Sequence, residues 1–78
     1  MIKVKVLGSG CANCKRLEAN VRKVAAAQNI EIELEKVTDY AEIMKWPILN
    51  TPGLVVNDQL VVAGRIPKDE EIAKLLSV

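Results

Sequence analysis

Two cysteines, Cys11 and Cys14, are the only thiols in the chain, and they sit three positions apart in the stretch Gly-Ser-Gly-Cys-Ala-Asn-Cys, residues 8–14. That spacing serves three purposes: a switchable disulfide, two thiolate ligands for a soft metal, or a small structural loop. The thiolate is the reactive form in the first two. The chain has no histidine, so thiol activation by imidazole and His-containing metal sites are both excluded. The elements that flank the pair must decide among the three.

The pair lies at a junction. Residues 2–7, Ile-Lys-Val-Lys-Val-Leu, alternate apolar and basic side chains and read as a strand. After the Gly-Ser-Gly break, Cys14, Leu17, Val21, Val24 and Ala25 recur at helical spacing and define the buried face of a helix from Ala12 to Gln28, ending near Gln28–Asn29. A helix N-terminus carries unpaired N–H groups and a partial positive charge, which favours a thiolate. Cys11, at the mouth of this helix, is the expected nucleophile. Cys14 falls on the buried face and is expected to keep its proton better. That asymmetry suits attack by one sulfur and resolution by the other. Gly8 and Gly10 are expected to let a partner's backbone approach the exposed sulfur.

The second half continues the pattern. Residues 30–37 alternate Ile30, Ile32 and Leu34 against Glu31, Glu33 and Glu35, a half-buried strand. Thr38 or Asp39 can cap a short helix that runs to about Trp46 and is stopped by Pro47. Residues 53–64 read as a hairpin turning at Asn57–Asp58. A last helix is expected to begin at Pro67, with Asp69, Glu70 and Glu71 at its positive end and Ile72, Leu75 and Leu76 as its buried stripe. The helical connection makes the first two strands parallel, and the tight turn makes the last two antiparallel. The expected fold is α/β, a four-stranded mixed sheet flanked by three helices in the order β-α-β-α-β-β-α, forming one domain over residues 1–78.

Ile2, Val4 and Val6 share a sheet face with Ile30, Ile32 and Leu34, and two apolar helices are expected to cover it. The opposite face carries Lys3 and Lys5 beside the glutamates, an expected cross-strand charge ladder. Trp46, Tyr40 and Met44 are read as packing residues, and Arg65 as a solvated charge.

Composition narrows the partners. Eleven basic and ten acidic residues are well mixed, for a net charge of +1, and Tyr40 and Trp46 are the only aromatics. A base-stacking surface or a basic stripe is absent, so neither nucleic acid nor an anionic membrane is an expected partner. The N-terminus shows no long apolar run, which leaves the cytoplasm as the expected location. Thiols are kept reduced there, so a lone structural disulfide is not expected.

The element order, the Cys-x-x-Cys at the first strand-to-helix junction, Thr51-Pro-Gly-Leu-Val-Val-Asn57 and Val61-Val-Ala-Gly-Arg-Ile-Pro67 together resemble the thioredoxin/glutaredoxin superfamily. The likeness is closest to its small "redox-active disulfide" proteins of archaea and bacteria and covers essentially the whole chain. The resemblance implies a thioredoxin-like fold and a thiol–disulfide oxidoreductase. It implies that Cys11 attacks and Cys14 resolves, through a reversible Cys11–Cys14 disulfide and no other cofactor. It implies that Pro52 is a cis-proline lying against the disulfide and crowding out a metal. Thr51 would then pair its backbone with an extended substrate segment, with Gly10 beside the exposed sulfur.

The implied partners are proteins with disulfides and a thioredoxin-reductase-like flavoenzyme as electron donor, with the chain itself a monomer. The first strand carries no acidic residue to match the proton acceptor of classical thioredoxins. The competing functions are a Cu or Zn chaperone built on the same two thiolates, whose second half would run in a different element order, and a redox-sensing interaction module.

Overall fold

The computed structural model describes residues 2–8, 10, 12–48 and 50–77. Its elements are β1 (Ile2–Leu7), α1 (Ala12–Ala27), β2 (Ile32–Val37), α2 (Tyr40–Ile43), β3 (Gly53–Val56), β4 (Gln59–Ala63) and α3 (Asp69–Leu75). They form one four-stranded sheet in the order β2-β1-β3-β4. β1 runs parallel to β2 and antiparallel to β3, and β3 runs antiparallel to β4. This is the mixed α/β arrangement that the sequence pattern predicts.

The alternation in the strands sorts their side chains into two layers. On one face Val4, Val6, Leu54, Val56 and Val62 meet Leu17, Val21, Val24 and Ala25 of α1 and Ile72 and Leu76 at α3. Ile2, Ile30, Ile32 and Leu34 pack against the rim of this cluster. On the other face a smaller cluster joins Leu7, Val37 and Val55 to Ile43 and Ile48, with Trp46 and Leu60 against it. All five predicted apolar positions of α1 are buried.

Local chemistry sets the boundaries. Asn29 takes a left-handed φ of 55° after α1, and the Ile30 amide bonds back to the Ala25 carbonyl at 2.9 Å. This is the cap expected of an asparagine just past a helix. It also commits the Ile30 amide, so the β1 ladder begins at Ile2↔Ile32 and β2 starts two residues later than the alternation alone suggests. Asp39 caps α2 by accepting the Ala41 amide at 3.1 Å. Asn57 and Asp58 turn the hairpin with φ of 49° and 66°.

Four expectations need correction. α3 starts at Asp69 rather than Pro67, because Lys68 is still extended with ψ of 160° and its carbonyl accepts the first helical bond, from Ile72. Pro67 is instead a fully buried packing residue. α2 ends at Ile43, short of Trp46, and only that last residue faces the sheet. Tyr40, at its first position, and Met44, just past its end, therefore point outward and are exposed rather than packed. Trp46 does pack, at the edge of the smaller cluster.

Register places Lys3 opposite Glu33 and Lys5 opposite Glu35. The Lys5 ammonium also sits 5.6 Å from the centre of the Trp46 ring, a cation–π contact that fastens the α2 segment to the sheet. Arg65 forms a two-pronged ion pair with Glu71 of α3, with Nη1 to Oε1 at 2.9 Å. That hydrogen bond holds the Glu71 carboxyl below the usual carboxylate range. No helix among the described residues is long and apolar enough to cross a membrane.

The two faces of α2 make opposite predictions. Truncating Ile43 to Ala should destabilise the protein by about 2–5 kcal/mol in urea unfolding. Truncating Tyr40 to Ala should stay within about 0.5 kcal/mol of the parent, as for an exposed side chain.

Candidate functional site

The site grows out of the β1–β3 register. Leu7 pairs with Gly53, so the residues that follow β1 lie across from those that precede β3. Gly8 thus comes beside Thr51 and Pro52, and its amide is fixed by the Val37 carbonyl of β2 at 2.9 Å. The Thr51–Pro52 peptide bond is cis. Pro52 is buried, and its carbonyl accepts the Gly64 amide from the end of β4 at 2.9 Å. Thr51 stays exposed at the surface.

α1 delivers Cys14 to the same place. Cys14 is the third residue of the helix, turned inward with Leu17 and Val21, and is only 4% exposed. It takes part in a disulfide. Cys11, the chain's other cysteine, lies outside the described residues.

Gly8 is the element that makes the approach possible. A Cβ on Gly8 would run into the Cys14 sulfur, would press on Cys14 Cβ at 3.1 Å and would come within 3.8 Å of Thr51 Cβ. The close approach at Gly8 is therefore internal to the chain. Gly10 meets a different need: its φ is 89°, a region that a side chain disfavours, and the space around its missing Cβ is open. Of the residues singled out in the sequence, Cys14, Thr51 and Pro52 meet around Gly8, and Gly10 lies on the connection from β1 to α1.

A small cavity of about 70 Å³ opens beside Cys14. Its walls include Val6 and Gly8 from the β1 end, Glu18 on α1, and Lys36 and Thr38 at the end of β2. Glu18, Lys36 and Thr38 escape a reading by motif. The available signal is positional: Glu18 is four residues beyond Cys14 on one helix, and Lys36 is the β2 partner of Val6.

Residues 2–77 match the thioredoxin domain family. The chain is 39% identical over 77 residues to a protein named thioredoxin from Methanothermobacter thermautotrophicus, covering 99% of this chain and 100% of that one. It is 38% identical over 76 residues to another so named from Methanocaldococcus jannaschii, covering 97% of this chain and 87% of the relative. The chain belongs to the thioredoxin domain family, whose fold it shares, and is a thioredoxin-like redox protein.

The contact at Gly8 predicts a difference between two glycines. Gly8→Ala should lower stability by about 1–3 kcal/mol through overpacking against Cys14. Gly10→Ala should cost only the roughly 1–2 kcal/mol of a left-handed backbone, with no clash. Thermal unfolding of the oxidised and reduced forms checks both. The Gly8→Ala penalty should change when Cys14 is reduced and its sulfur can shift, whereas the Gly10→Ala penalty reflects backbone alone.

Proposed function

We propose that the protein is a thiol–disulfide oxidoreductase that passes two electrons between a Cys11–Cys14 dithiol and the disulfide of a partner protein. The observation that carries this reading is Cys14: a buried, disulfide-bonded sulfur in the first turn of α1, packed on Gly8 beside Thr51 and the cis Pro52. The two relatives named thioredoxin, matched along nearly their whole lengths, support it.

In this mechanism Cys11, ahead of the helix, acts as the nucleophile. Its thiolate attacks a partner disulfide, a mixed disulfide forms, and one partner sulfur leaves. Cys14 then attacks the Cys11 sulfur, closes the intrachain disulfide and releases the second partner sulfur. Burial of Cys14 delays its reaction until Cys11 is engaged, since a buried thiol is poorly available to other disulfides. Thr51, exposed next to the site, offers backbone to an extended partner segment in the manner of strand addition, and the space about Gly10 is open to it.

The disulfide is the only redox group this reaction requires. The electrons that restore the dithiol come from a separate reductase, in our reading a flavoenzyme of the thioredoxin-reductase kind. The protein acts as a cytoplasmic monomer in this reading.

Trapping tests the division of labour. Cys14→Ser should accumulate a stable mixed disulfide with a disulfide-containing protein such as oxidised insulin, visible by mass. The double variant Cys11→Ser/Cys14→Ser should accumulate none. If Cys14→Ser forms no adduct, or turns over as well as the parent, the exchange mechanism is wrong.

A further inference from the structure

Resolution by Cys14 raises a problem of proton transfer. The thiol must lose its proton before it can attack, and at 4% exposure it has little contact with bulk water. The cavity beside it supplies a route. Among the described residues, Glu18 is the one carboxylate on its wall. Glu18 follows Cys14 by one turn of α1, the spacing at which two side chains share a helix face.

The Glu18 carboxylate is also held in place. Arg22 Nε donates to Oε2 at 3.1 Å, and Lys36 Nζ reaches Oε1 at 3.7 Å from β2. Its side chain is 18% exposed, less than any other ion-paired carboxylate among the described residues, the next being Glu71 at 38%. A solvated surface glutamate would not combine low exposure, cations from two elements and a wall shared with a reactive sulfur.

We propose that Glu18 accepts the proton of the Cys14 thiol as the mixed disulfide is resolved. This rests on the oxidoreductase reading given above. The S–H proton passes to the Glu18 carboxylate, directly or through water. A cavity of about 70 Å³ exceeds the roughly 10–15 Å³ that one water needs. The Cys14 thiolate attacks the Cys11 sulfur. The Cys11–Cys14 bond forms as the bond from Cys11 to the partner sulfur breaks, and the electron pair leaves on the partner sulfur. That thiolate takes up a proton from Glu18 or from solvent. Two electrons have then passed from the dithiol to the partner disulfide.

The charged groups that line this space, among the described residues, are Lys15 and Glu18 on α1 and Lys36 on β2, with Arg22 reaching Glu18 from the next turn, while the β1 end contributes the uncharged Val6 and Gly8. The cations favour the thiolate that forms. The charged Lys3 and Lys5 belong to the opposite face of the sheet, where Lys5 meets Trp46.

The test separates attack from resolution. Reduced protein is mixed with one equivalent of dithiobis(nitrobenzoate), whose released thiolate absorbs visible light. The first release reports attack by Cys11 and the second, concentration-independent release reports resolution by Cys14. Glu18→Gln should leave the first phase unchanged and slow the second about a hundredfold near neutral pH, the low end for general base catalysis. The deficit should close as pH rises and hydroxide replaces the carboxylate. Glu18→Asp, which keeps an acid at the position, should recover much of the lost rate, and thermal unfolding should show both variants folded.

A second phase in Glu18→Gln equal to the parent at every pH would overturn the proposal. So would an equal, pH-independent slowing in both variants, the mark of a structural role. Parent protein with no concentration-independent second phase would overturn the oxidoreductase reading itself, and the proposal with it.

Discussion

The contact between the Cys14 sulfur and the backbone of Gly8 is the constraint on which the site depends. Two segments of chain come together there more closely than any side chain on residue 8 would permit. That closeness sets how far the first turn of α1 sinks toward the end of β1. It also brings the sulfur to the side of Gly8 that Thr51 approaches, because the antiparallel register of β1 and β3 carries the residues before β3 back across from Gly8. One missing Cβ thus fixes the relation of three elements.

The rest of the molecule makes that relation rigid. α1 is anchored by four buried apolar residues beyond Cys14, packed on the central strands and on α3. β1 is central and bonded on both sides, so Gly8 has little freedom to move. Pro52 is tied to Gly64 at the far end of the hairpin, and the Arg65–Glu71 ion pair links the next residue to α3. A small domain gains only modest stability from its core, so it is notable that these ties converge at one end of the sheet. The consequence is chemical. A sulfur held in a fixed, mostly dry position reacts with what is brought to it and is protected from what merely diffuses past.

Sequence patterns made much of this legible, and the reasons differ by element. α1 is long enough for its 3.6-residue period to define a face, and each position on that face is buried. The strands alternate because one layer is apolar on each side, and the turns carry asparagine and aspartate where positive φ is needed. α2 has only four residues, too few for periodicity to choose a face, and for that reason the pattern does not show that Tyr40 and Met44 point outward. Pro67 carries the signal of a helix start, but its neighbour Lys68 stays extended and the proline is held in the core instead. The cavity wall was beyond reach from sequence, since Glu18 and Lys36 become neighbours only when α1 packs beside the β2 edge. Gly8 is legible as a glycine near a cysteine, but the group it admits, the Cys14 sulfur, belongs to its own chain.

Whether the two cysteines form a disulfide that opens and closes reversibly is read most directly from the reduction potential of the pair. The protein would be equilibrated in dithiol or glutathione buffers of known potential and its free thiols counted by mass. A reversible two-electron transition between about −200 and −300 mV is expected, within the range of thioredoxins and glutaredoxins. A pair that never closes, or that oxidises only to intermolecular dimers, would contradict the account.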